Sequence, residues 1–126
     1  MAAEYTADDH PYLANPAVRD LFDILRKEVL ALDPCVTEEF FKTCIAYKVE
    51  TNFANIVLQA SRLKIILNVR FHKIADVKDI CRDVTNVGHL GSGDIELNLA
   101  TFEELPYAIG LVRQSFERQM GVGEND

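Results

Sequence analysis

The chain has 126 residues, an apolar content of 48% and a formal net charge of -7. This length suits one domain with a single core, and no apolar run approaches the ~18 residues of a membrane-spanning helix. The negative charge excludes a protein whose whole surface binds nucleic acid, because phosphate binding needs clustered lysine and arginine. We therefore expect one domain and no membrane partner.

Cysteine usage and the N-terminus indicate the cellular compartment. The three cysteines, Cys35, Cys44 and Cys81, are widely spaced and form no Cys-x-x-Cys pair. This pattern is typical neither of a disulfide framework nor of a zinc site, and Cys44 and Cys81 lie in apolar segments, where buried thiols are inert. The acidic N-terminus lacks the apolar core of a secretory signal. We predict a cytoplasmic protein without a metal or a cofactor.

Two helices are predicted, one near each end of the chain. Asn15 is a capping residue, and Pro16 follows it in the first turn, where proline is tolerated. Thr101 and Glu104 form a capping-box pattern before the second helix. Because Pro106 lacks a backbone N–H, either the first turn is loose or regular helix begins near Glu104.

Between the helices, apolar and polar residues alternate in four predicted strands, at residues 43–49, 53–60, 63–69 and 94–99. The links between the first three are too short for parallel crossovers. Residues 37–39 are predicted as a capped turn, and residues 70–84 as a short helix or irregular arm. The predicted fold class is α+β, with an antiparallel sheet of four to five strands in a meander. The N- and C-terminal helices are expected to pack on one face of this sheet.

The limits of the domain are predicted from the two chain ends. Residues 1–14 form an irregular N-terminal lead in this interpretation, and residues 15–120 form the single α+β domain. Residues 121–126 are expected to be a frayed tail, since chain ends are poorly ordered unless other groups hold them.

A glycine-rich loop carries the strongest functional signal. Gly88, Gly91 and Gly93 fall within six residues, a density that indicates positive φ angles or close approach of the backbone to a ligand. The loop leads into a strand and not a helix, so it does not match a dinucleotide-binding loop. Two interpretations remain: a nest of backbone N–H groups that holds an anion, and a tight connection across the sheet.

Basic residues are concentrated just before this loop. Residues 62–82 carry six basic side chains against two acidic ones, with Phe71 and His72 among them. Aromatic rings between cations can stack on nucleic-acid bases, although such cations also pair with neighbouring carboxylates on a solvated face. The predicted ligand-binding residues are Arg82, Gly88, His89, Gly91, Gly93, Asp94 and Lys64.

Two other functions remain open. In a small enzyme, His89 would be the general base, because histidine transfers protons near neutral pH, and Asp83 or Asp94 would orient it. In a homodimerising interaction domain, apolar residues on the outer sheet face would form the seam, namely Ile66 with Ile56 or Leu58 beside it.

The run from Arg82 to Asp94 reads Arg-Asp-Val-x-x-x-Gly-His-x-Gly-x-Gly-Asp. With Ile45-Ala46-Tyr47-Lys48 and Arg62-Leu63-Lys64, it resembles a bacterial family of domains of unknown function, over roughly residues 18–119. The resemblance implies a domain labelled as a predicted transport protein and sometimes placed at the C-terminal end of restriction- or nuclease-associated proteins. The family tends to have tryptophan where this chain has Leu90.

These observations lead to one functional prediction. We expect a non-enzymatic binding module in which loop 88–94 and nearby cations hold an anionic ligand, a nucleic acid or a protein partner. Nucleic acid or another anion would bind through residues 62–82 and 88–94, because these segments combine the cations with the glycine backbone.

Overall fold

A computed structural model of the protein describes residues 10–42, 44–85 and 94–121. The helices are α1 (Pro16–Leu30) and α2 (Leu105–Gln119), and short 3-10 turns lie at Pro11–Ala14, Phe71–Lys73 and Phe102–Glu104. The strands are β1 (Thr37–Phe40), β2 (Ile45–Lys48), β3 (Asn52–Leu58), β4 (Leu63–Leu67), β5 (Arg82–Asp83) and β6 (Ile95–Leu99). Within these ranges the strands form one sheet in the order β1-β2-β3-β4-β6-β5, and every neighbouring pair is antiparallel.

The α+β class, the antiparallel sheet and the two helices are confirmed, but the sheet has six strands and not four to five. The prediction of a capped turn at residues 37–39 is wrong, because this segment forms β1 and pairs with β2. In this segment, the contacts with the neighbouring strand outweigh the local preference of the residues for a turn. The other additional strand, β5, has only two residues and pairs with β6, so it is too short to show an alternating pattern.

Local capping interactions explain where both helices begin. The Asn15 side chain accepts a hydrogen bond from the N–H of Ala17 at 3.0 Å, and Pro16 occupies the first turn of α1. At the second helix, Thr101 and Glu104 form the predicted capping box. Helix α2 begins directly after Glu104, which places Pro106 in the first turn, where its missing N–H breaks no helical hydrogen bond.

The main core lies between the sheet and the two helices, which pack against each other. Phe53 joins β3 to α2: it is fully buried, and its ring centroid lies 5.5 Å from that of Phe116. The hydroxyl of Ser115, also fully buried, donates a hydrogen bond to the carbonyl of Phe53 at 2.6 Å. Helix α2 is therefore held to the sheet by packing and by a satisfied polar contact.

The opposite face of the sheet carries a row of paired positions, Ala46, Asn55, Ile66 and Glu96. All four residues are buried. Ile66 is 1% exposed, while Ile56 and Leu58 belong to the main core. The three residues predicted as a dimer seam are thus covered within a single chain and offer no exposed apolar strip.

One further expectation concerns membranes. Across residues 10–42, 44–85 and 94–121, no helix is both long enough and apolar enough to cross a bilayer.

Candidate functional site

An irregular arm of residues 70–81 follows β4, and side chains of α2 hold it in place. The Gln114 side chain accepts a hydrogen bond from the N–H of Ala75 at 2.7 Å and donates one to its carbonyl at 2.9 Å. The backbone N–H of Lys78 donates to the Tyr107 hydroxyl at 2.9 Å, and its ammonium lies 5.0 Å from the centroid of that ring. The position of the arm therefore depends on α2.

Asp76 is the polar centre of this arm. Its carboxylate accepts hydrogen bonds from the Tyr107 hydroxyl and from the N–H of Cys81. Partial burial raises the pKa of Asp76, but these hydrogen bonds, together with one from the backbone of Ile80, outweigh that effect and hold the pKa below its ordinary value. The ionised form of Asp76 therefore stabilises the folded arm.

We expect Asp76 to contribute to the loss of stability in acid. A carboxyl whose pKa is lower in the folded state stabilises the fold above its unfolded pKa of about 4, and this contribution is lost as the pH falls through the folded value. Asp76→Asn should therefore flatten the dependence of the unfolding free energy on pH below about pH 4. Urea titrations across this range measure the slope. Asp20→Asn, at an exposed position in α1, is the control, and an unchanged slope in Asp76→Asn would contradict the expectation.

A cleft of about 400 Å³ is formed where the arm meets the sheet. Among the described residues, those that line it are Arg70, Phe71, His72, Asp83, Thr85 and Asp94. They come from the turn after β4, from β5 with the residues that follow it, and from the residue before β6. The cleft thus brings both aspartates proposed from the sequence together with three residues of the basic segment.

Hydrogen bonds define the acidic side of the cleft. The Asp83 carboxylate accepts hydrogen bonds from the hydroxyl and from the N–H of Thr85, the latter at 3.0 Å. These hydrogen bonds hold the pKa of Asp83 below its ordinary value, so Asp83 is an acceptor at neutral pH. The N–H of Val84 donates to the carbonyl of Asp94 at 2.8 Å, which joins the two acidic positions.

Arg70 supplies a cation to the same cleft. In the described part of the chain, its guanidinium takes part in no ion pair. Arg70 and His72 are both exposed, so both remain accessible to a ligand.

The two cations predicted as site residues lie elsewhere. Lys64 and Arg82 flank Glu96: the Lys64 Nζ lies 3.8 Å from one carboxylate oxygen, and an Arg82 terminal nitrogen lies 3.6 Å from the other. Glu96 is 8% exposed, although its place in the alternation suggests a solvated position. One carboxylate therefore partly neutralises two cations, and neither cation lines the cleft.

The predicted glycine loop can be placed only through its ends. Gly88, His89, Gly91 and Gly93 lie outside the described residues, while Thr85 and Asp94 on either side of residues 86–93 both line the cleft. The assignment of these four residues to a ligand site stays a prediction. Among the described residues, no group of three His, Cys, Asp or Glu side chains is arranged to hold a metal ion.

The buried cysteines do not offer a nucleophile. Burial, followed by the hydrogen bond to Asp76, raises the pKa of the Cys81 thiol to about 12, and burial also raises the pKa of Cys44. Both side chains are therefore neutral thiols at neutral pH, and a neutral thiol is a poor nucleophile. This agrees with their predicted inert role.

The sequence alone does not place Arg70 and His72 beside the acidic residues. In the sequence, Phe71 and His72 stand out only as members of a basic stretch that ends at residue 82. The available signal was the run Arg70-Phe71-His72, which directly follows an alternating strand. Exposed residues at a strand end are frequent components of binding sites, because such connections lie on the surface.

The architecture defines a class: a small α+β domain with an antiparallel sheet and a polar cleft at one end. Residues 7–119 match the family described as a domain of unknown function, DUF5655, and the chain belongs to this family. A relative described as an uncharacterized protein of Haemophilus influenzae is 30% identical over 113 residues, which make up 90% of this chain and 37% of the relative. The chain thus covers little more than a third of that relative. No solved structure gives a significant match.

Proposed function

We propose that this domain is a non-enzymatic binding module that holds an anionic ligand in the cleft. The observation that carries the proposal is the position of Arg70, which lines the cleft and makes no ion pair with any described residue. An unpaired guanidinium recognises phosphate and carboxylate groups through two parallel hydrogen bonds. The cleft volume of about 400 Å³ also falls within the range of ~300–1,000 Å³ usual for small-ligand sites.

The glycine loop would complete this site. Backbone N–H groups of Gly88, Gly91 and Gly93 can form a nest for an anion, because glycine permits the required φ angles. His89 would add a donor from the same loop. This part of the proposal rests on the sequence, and its structural support is that Thr85 and Asp94, which flank residues 86–93, line the cleft.

The outer cations would act over a longer range. Lys64 and Arg82 share Glu96, so they are poorly suited to hold a ligand alone. The Arg82 side chain is still 62% exposed and would help to attract an anionic ligand, nucleic acid or acidic protein partner towards this end of the sheet.

Ribose 5-phosphate is a suitable probe for the proposed site, because it combines a phosphate with hydroxyl donors. We expect saturable amide shifts at cleft residues such as Thr85 and Asp94 in NMR titrations. Arg70→Ala should weaken this binding about 10-fold or more, since a hydrogen bond to a charged group contributes about 1.5–3 kcal/mol.

Arg62→Ala is the matched control for this titration. Arg62 lies at the other end of β4, where its side chain bonds to Gln59 at 2.8 Å, so the variant makes the same change in net charge away from the cleft. Its dissociation constant should stay within about 2-fold of the wild-type value. Equal binding by the Arg70→Ala and wild-type proteins would refute the proposed site.

A catalytic function is the second candidate, because His72 lines the same cleft as Asp83 and Asp94. A general base must lie within ~2.6–3.2 Å of the group that it deprotonates, directly or through a water. The sequence proposed His89 for this role, and the cleft adds His72. Release of inorganic phosphate in the same titration samples, abolished in His72→Ala or His89→Ala, would favour an enzyme over a binding module.

A further inference from the structure

The described residues that line the cleft form two groups with different chemistry. Residues 70–72 are an arginine, a phenylalanine and a histidine in direct succession, and the second group consists of Asp83, Thr85 and Asp94. A ligand that fills the cleft must therefore meet a cation, an aromatic ring and hydrogen-bond acceptors together.

The acidic residues restrict the ligand. An ionised carboxylate is only an acceptor, and the hydrogen bonds from Thr85 keep Asp83 in this form. A simple anion without donors would meet repulsion from Asp83 and Asp94. The ligand must therefore combine an anionic group, suited to Arg70, with N–H or O–H donors suited to the carboxylates.

Phe71 adds a third requirement. Phe71 lines the cleft and is 37% exposed, so part of this residue faces solvent beside two polar neighbours. A planar ligand group can stack on such a ring, and stacking of a nucleobase on an aromatic side chain contributes about 5- to 150-fold in affinity. A ligand with only a carboxylate and an ammonium group would leave this surface unused.

We infer that the cleft binds a nucleotide unit, either free or within a single strand, with its phosphate on Arg70 and its base on Phe71. Sugar hydroxyls or base amino groups would donate to Asp83 and Asp94. This inference rests on the proposed function, since it names the ligand class for the same site.

The test compares adenosine 5′-monophosphate with ribose 5-phosphate, which has the same sugar phosphate but no base. Isothermal titration should give about 5- to 150-fold tighter binding of the nucleotide by the wild-type protein. Phe71→Ala should bring the two ligands within about 2-fold of each other and leave ribose 5-phosphate binding intact, while Phe71→Trp should keep the preference. Phe102→Ala, which removes a ring that is 51% exposed outside the cleft, should also keep it.

The outcomes separate this inference from the proposed function. Equal wild-type binding of the two ligands, still weakened by Arg70→Ala, would overturn the nucleotide assignment and leave the anion site standing. Absence of binding by both ligands would overturn both proposals. Tighter binding of glutamate than of the nucleotide would also overturn the assignment, because an amino acid has both charges but no planar ring.

A hexamer of deoxyadenosine distinguishes the two sources of a nucleotide unit. Binding about 10-fold tighter than that of the mononucleotide, and weakened by salt, would assign the site to single-stranded nucleic acid. Equal or weaker binding would assign it to free nucleotides. In both cases Phe71→Ala must weaken binding. Hexamer binding that Phe71→Ala leaves unchanged would contradict the inference.

Discussion

Phe53→Ala is expected to lower the free energy of unfolding by about 3–5 kcal/mol. The Phe53 ring is fully buried and meets Phe116 edge to face, with an interplanar angle of 73°. Alanine would therefore remove a large apolar surface and leave a cavity between β3 and α2, which the surrounding structure can close only in part. Urea unfolding followed by circular dichroism measures the change.

Two control variants distinguish the effect of lost core packing on the unfolding free energy from the effect of removing any phenyl ring. Phe53→Leu keeps most of the apolar volume and should cost less than about 1.5 kcal/mol. Phe102→Ala removes a half-exposed ring and should change the unfolding free energy by about 0.5 kcal/mol or less. A cost below about 1 kcal/mol for Phe53→Ala would show that α2 does not depend on this contact.

Glu38→Ala should give the second largest effect, a loss of about 2–4 kcal/mol. Two guanidinium nitrogens of Arg26 donate to the Glu38 carboxylate at 2.7 and 2.8 Å, and the Tyr47 hydroxyl donates to it at 2.7 Å. Tyr47 is fully buried, and burial raises the pKa of its hydroxyl strongly. Without Glu38, this buried hydroxyl loses its acceptor and Arg26 loses its partner. Thermal and urea unfolding measure the loss.

The neighbouring position provides a matched comparison. Glu39 lies 3.8 Å from the exposed Lys48 ammonium, and Glu39→Ala should cost at most about 0.5 kcal/mol, because exposed ion pairs contribute little. In a Tyr47→Phe background, the hydroxyl is already absent, so Glu38→Ala should cost less than in the wild type. Strict additivity of the two substitutions would refute the coupling between Glu38 and Tyr47.

Elements with local signals were predictable from the sequence. Asn15 and the Thr101–Glu104 box mark helix starts through contacts within a few residues, and the alternation around Leu63–Leu67 marks a buried strand. Strand β1 was not predictable in this way. The partners that stabilise Glu38 in an extended segment, Arg26 and Tyr47, lie 12 and 9 residues away.

The residues of the candidate site also divide into those that local sequence identifies and those that depend on tertiary packing. Asp83 and Asp94 flank the glycine loop in sequence, so a local motif identifies them. Arg70 and His72 reach the cleft only because β6 lies between β4 and β5 in the sheet. Strand order is a property of tertiary packing, and it cannot be predicted from the number of residues between positions 72 and 83.

The strand order also affects how copies of this protein meet. In the described part of the chain, β1 and β5 are the two edge strands of the sheet. Strand β1 has four residues and β5 has two. An edge strand offers unpaired backbone groups with which a strand of another chain can pair, and this pairing is weaker when the edge strand is short and charged. One edge strand consists mostly of Thr37, Glu38 and Glu39, and the other consists of Arg82 and Asp83. A strand from another chain therefore finds few unpaired backbone groups with which to pair at either edge. Such pairing is the first step towards amyloid-like stacking.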